Sequence, residues 1–102
     1  MAEKPETLFR RKVVLDLKKL YNTYFFSVQQ VAIRGSPDIC MCIDGRFVSL
    51  ELKRSPTAEV AQLQRHTLGK ILKANGIAFI VHPDNWFEIY AYLEILSKKE
   101  KQ

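Results

Sequence analysis

The dipeptide Asp44-Gly45 lies between two apolar runs, Ile39 to Ile43 and Phe47 to Leu52, and it constrains this chain more than any other feature. A two-residue hairpin turn needs a positive φ at both central positions, and Asp-Gly supplies that at low cost. With this turn Ile43 faces Arg46, and counting outward sets Asp38 opposite Glu51. Directly opposed side chains on antiparallel strands lie about 4.5 to 5.5 Å apart at Cβ, where like charges repel. Such a pair calls for a cation. Side chains alternate faces along a strand, so Lys53 projects from the same face as Glu51.

The two faces of the hairpin set the architecture. Cys40, Cys42 and Phe47 share the face of the acids, while Ile39, Met41, Val48, Leu50 and Leu52 fall on the other. A sheet that is apolar on both sides must be covered on both sides, which calls for helices against each face. Phe9, Val13, Leu17 and Leu20 form one stripe of a helix predicted over about 6–21. Glu6 extends that stripe at its start, either complementing the helix dipole or leaning toward the acid pair. A strand is predicted from Phe25 to Ile33. A second helix is expected from an N-cap at Ser55-Pro56 to Asn75-Gly76, then a strand at Ile77 to Val81 that can lie parallel to a neighbour. Asn85 and Glu88 have capping-box spacing for a last helix ending near Ser97.

At 102 residues the chain suits one domain with its own core, with 1–5 and 98–102 expected to fray. A formal charge of +5 favours a polyanionic partner, nucleic acid first. Cys40 and Cys42 are too close in sequence for an ordinary disulfide, and no second ligand pair follows at zinc-finger spacing, so they are expected to be small reduced core residues. No apolar run approaches the roughly 18 residues of a membrane span, and no signal-like segment opens the chain, so a cytoplasmic location is expected. There is no Walker motif, and no nucleotide cofactor is expected. His66 and His82 lack the neighbours of a metal finger or a nucleophilic histidine and are assigned structural roles.

Pro37-Asp38 followed by Glu51-Leu52-Lys53, in this order and on one hairpin, resembles the signature of the PD-(D/E)xK nucleases. More closely, the chain is similar to stand-alone VRR-Nuc domains of phages and bacteria over nearly its whole length. The similarity runs from the helix with Glu6 through Gly35 to Asp38 and Glu51-Leu52-Lys53. It continues with Leu63-Gln64, Leu68, Lys70-Ile71, Ala74, Ile80-Val81, Pro83 and Asn85-Trp86. The resemblance implies an α/β, restriction-endonuclease-like core: a mixed four-stranded sheet flanked by helices, in the order α-β-β-β-α-β-α. In that family a helical glutamate, the Asp, the Glu, the Lys and a following glutamine line the active site. Carried over, these are Glu6, Asp38, Glu51, Lys53 and Gln64, with Gln64 preferred to Gln62 because its flanking residues match better.

The implied activity is hydrolysis of DNA phosphodiester bonds, with Mg²⁺ or Mn²⁺ held by Asp38, Glu51, the Leu52 backbone carbonyl and Glu6. Hard oxygen ligands suit these ions, and Lys53 would orient or deprotonate the attacking water. The relatives imply a homodimer acting on branched DNA such as four-way (Holliday) junctions, in a bacterial or phage-infected cell. Tyr90, Tyr92, Trp86 and Phe87 are candidates for the subunit contact, although a tryptophan in a first helical turn, as Trp86 is, more often packs in the core. Two other readings remain: a nuclease that cuts ordinary duplex DNA, and a non-catalytic binding module on the same fold.

Overall fold

The computed structural model describes residues 4–28 and 34–97. Its elements are α1 (Pro5–Leu17), β1 (Thr23–Ser27), β2 (Ile39–Ile43), β3 (Arg46–Leu52), α2 (Gln62–Lys73), β4 (Ile77–Val81) and α3 (Trp86–Ser97). This is an α/β chain in the expected order, with a mixed sheet ordered β1-β2-β3-β4. The first two pairings are antiparallel, and β3–β4 is parallel because α2 carries the chain across.

The hairpin forms as its turn dictates. Asp44 has φ +48° and Gly45 φ +85°, and Ile43 pairs with Arg46. The paired register ends at Ile39 and Leu50. Beyond that pair Asp38 donates its N–H to the carbonyl of Leu50, already the partner of Ile39, at 3.0 Å, so the one-for-one register expected to set Asp38 opposite Glu51 does not extend to them.

The core lies on one face of this hairpin. Ile39, Met41 and Ile43 of β2 and Val48 and Leu50 of β3 are buried against Phe9, Val13 and Leu17 of α1 and Trp86, Leu93 and Leu96 of α3. Each such side chain contributes about 1.5–3 kcal/mol by leaving water, so this face fixes which way the hairpin turns its acids. Asp16 is buried at the α1–α3 junction, where it accepts a 2.8 Å hydrogen bond from Trp86 Nε1. Lys12 and Lys19 lie 3.4 and 3.6 Å from the same carboxylate. Trp86 is therefore a packing residue and no part of an exposed subunit contact.

The opposite face is covered only in part, which corrects the expectation of helices over both. No residue of α2 is buried, and the helix leans on β4 and on the Phe47 end of β3. Tyr24 and Phe26 of β1, Phe47 and Cys42 stay exposed there. Cys42 is thus a surface thiol; Cys40 is half-buried, and burial pushes its thiol pKa up.

Three boundaries differ from expectation. The first helix stops at Leu17, because the chain turns through Lys18 to Asn22, whose φ is +51°. The first strand runs from Thr23 to Ser27, and the remainder of the predicted segment, 29–33, lies outside the described residues, as do Lys98, Lys99 and Lys101. The second helix begins at Gln62 rather than Pro56. The Ser55 hydroxyl sits against that of Thr57, and the Ser55 carbonyl accepts the Ala58 N–H, forming a turn in place of a cap.

The last helix begins where predicted, but Asn85 turns its amide back to β4. It accepts from the His82 N–H and donates to the Ile80 carbonyl, and His82 Nδ1 accepts from the Asp84 N–H. That gives His82 a structural role, and His66 is exposed. Among the described residues no helix is long and apolar enough to cross a membrane.

Trp86→Phe removes the indole N–H that the buried Asp16 carboxylate accepts. A loss of about 1–3 kcal/mol is expected, measured as urea unfolding. An unchanged midpoint would contradict the structural role given to this bond.

Candidate functional site

The residues past the open end of the hairpin are brought together by four segments. From the β2 side comes Asp38, 8% exposed, and from β3 comes Glu51, 3% exposed. Asp38 Oδ2 accepts the Leu52 N–H at 2.7 Å, so the carboxylate takes over the ladder where β2 has not yet begun. Lys53 follows directly, with its own N–H held by the Val81 carbonyl of β4 at 2.8 Å. That bond anchors the lysine backbone, and its Nζ reaches back to 3.5 Å from Glu51 Oε2.

Gln64 comes from α2. Its Nε2 donates to Glu51 Oε2, while its Oε1 accepts from Lys53 Nζ at 3.1 Å and from the Ala61 N–H at 3.2 Å. The glutamine thereby satisfies an orphan donor at the helix start and orders the acid and the lysine together. Gln62 is exposed, so the preference for Gln64 agrees with the geometry.

A glycine makes this placement feasible. Gly35 has φ +77°, and a Cβ there would meet Leu63 Cγ at 2.5 Å. A side chain at position 35 would both strain the backbone and push the first turn of α2, with Gln64, off the carboxylates.

Glu6 is not brought to the pair. It sits in the first turn of α1, ahead of Phe9, the first buried residue of the helix, and is exposed. Among the described residues no third histidine, cysteine or acid joins Asp38 and Glu51 in a metal-sized group. The α1 residue that does arrive is one turn later: Arg10 Nη2 donates to Asp38 Oδ1 at 3.2 Å. From the sequence Arg10 is set largely away from the apolar stripe; the signal that could have found it is its spacing of four residues from Glu6.

Electrostatics agree with the geometry. The Glu51 pKa is pushed up to about 7, first by burial and then by the Asp38 charge, with Lys53 acting in the opposite direction. Two nearly buried carboxylates facing each other form an all-oxygen donor set whose second charge is suppressed for want of more positive charge. Asp38 and Glu51 therefore fit a hard divalent cation. The Ser49 hydroxyl lies on the same face as Glu51, two residues back, and is buried without a hydrogen-bond partner among the described residues. Comparison with family models, with curated proteins and with solved structures gives no match.

A raised carboxylate pKa means that the folded protein binds more protons than the unfolded chain between the ordinary glutamate range and about 7. Without metal, this group's contribution to stability is full below that window and is lost as pH rises through it. Thermal melts in EDTA from pH 4.5 to 8 are expected to show a steeper decline for wild type than for Glu51→Gln. Added Mn²⁺ should raise the wild-type midpoint at pH 8 and have little effect at pH 5. Identical pH profiles for the two proteins would contradict this assignment.

Proposed function

We propose that this chain is a divalent-metal-dependent DNA endonuclease with a restriction-endonuclease-like core, similar to stand-alone VRR-Nuc domains. The observation that carries the reading is the convergence of Asp38, Glu51, Lys53 and Gln64 in one bonded cluster at the open end of a hairpin. The order of elements and the net charge of +5 support it. Its setting would be a bacterial or phage-infected cell.

Asp38 and Glu51 would hold Mg²⁺ or Mn²⁺, with the Leu52 carbonyl as a further ligand and without Glu6. When bound, the ion supplies positive charge at the phosphate and makes a water easier to deprotonate. Lys53 Nζ is held 3.5 Å from Glu51 Oε2, where as an ammonium it can orient the attacking water and offset the negative charge that develops at the phosphate. Gln64 fixes that ammonium and the Glu51 carboxylate relative to each other, so neither has to reorganise during the reaction.

Branched DNA is the proposed substrate, cut by a homodimer. The exposed aromatic surface of Tyr24, Phe26 and Phe47, beside the acids on the same face of the sheet, supports a contact with a second copy. A second reading, a binding module without catalysis, draws on the near-complete burial of both carboxylates.

Labelled four-way junction, duplex and single-stranded DNA incubated in Mg²⁺, Mn²⁺ or EDTA distinguishes these readings. Paired, metal-dependent nicks at the junction are expected. Asp38→Ala and Lys53→Ala should each lose about 100-fold or more in cleavage rate while still binding DNA. Binding without cutting in either metal would establish the module instead, and full activity in both mutants would rule out this site.

A further inference from the structure

The contact between Arg10 and Asp38 has no place in the reaction described so far. Asp38 gives Oδ2 to the Leu52 N–H, and Arg10 stands on Oδ1, an oxygen that a cation bound between the acids would have to share. Arg10 also differs from the other positive group of the cluster. Lys53 is 16% exposed and tied to Gln64 and Glu51, whereas the Arg10 side chain is 44% exposed. It borders a surface groove of α1 together with Thr7, Arg11, Val14, Leu15 and Lys18, which leaves it room to turn away from Asp38.

We propose that Arg10 is an exchangeable counter-ion. It neutralises Asp38 while the metal is absent, is displaced when a divalent cation binds, and then takes a phosphate oxygen of the DNA at the same rim. Its first half rests on the metal-site reading of Asp38 and Glu51, and its second on the nuclease reading. A guanidinium beside a newly bound dication is repelled by it, and the shared carboxylate then satisfies the metal better than the arginine. A guanidinium leaving a carboxylate finds in a phosphodiester an acceptor of similar fork geometry and charge. The swap keeps a positive group at the mouth of the site in both states.

The test compares wild type, Arg10→Ala and Arg10→Lys by calorimetric titration with Mn²⁺ and by cleavage of a labelled four-way junction at saturating Mn²⁺. Removing the competing cation should tighten Mn²⁺ binding by about threefold to tenfold in Arg10→Ala. Loss of the phosphate contact should lower kcat/KM by about 10- to 100-fold, with Arg10→Lys intermediate in both measurements. Circular dichroism melts check that the variants are folded. Unchanged or weaker Mn²⁺ binding in Arg10→Ala overturns the exchange, and wild-type cleavage by that variant overturns the phosphate contact. A wild-type protein that binds Mn²⁺ and cuts nothing would sink the nuclease reading and the phosphate contact together, while the titration still decides the competition at Asp38.

Discussion

Two carboxylates held opposite each other across a tight turn, both nearly out of water, are the constraint to which the surrounding structure responds. Burial and proximity each disfavour a second negative charge, and Glu51 is driven toward neutral pH as a result. Each flanking segment answers with a donor or a cation. Helix α1 sends Arg10 to Asp38, α2 sends Gln64 to Glu51, and the end of β3 contributes Lys53 and the Leu52 N–H. The acids can occupy these positions because the other face of the hairpin is committed to the core through Ile39, Met41, Val48 and Leu50.

The hairpin was legible because its turn chemistry leaves little freedom. Asp44-Gly45 sets the loop length and loop length sets the register as far as Ile39 and Leu50; beyond it the pairing slips by one, and Asp38 meets Glu51 through its side chain. The parallel placement of β4 followed in the same way from the helical crossover. Helix starts were harder to read. Ser55-Pro56 has the composition of a helix start, yet the chain turns there and begins α2 where Gln64 can serve both as helix-end acceptor and as partner to Glu51. Tertiary contacts outweighed local preference at that point. Asn85 behaved similarly, spending its amide on β4 instead of Glu88.

The site itself was legible for the residues on or next to the hairpin and less so for α1. Periodicity places Glu6 and Arg10 on one face of the helix, but it does not say how far along the helix the sheet lies. The core contact begins at Phe9, so the side chain that reaches the acids is Arg10 and Glu6 stays in solvent. The uncovered half of the sheet was hidden for a related reason. Apolar residues on both faces indicate that both need cover, without indicating whether this chain's own helices or a second copy supplies it.

The most direct measurement is the structure of a crystal grown at pH 8 with Mn²⁺, examined for anomalous scattering. The proposed account predicts a single strong peak bonded to carboxylate oxygens of both Asp38 and Glu51, with Arg10 no longer on Asp38. An absence of metal between the two acids, with the Arg10–Asp38 pair intact, would contradict it.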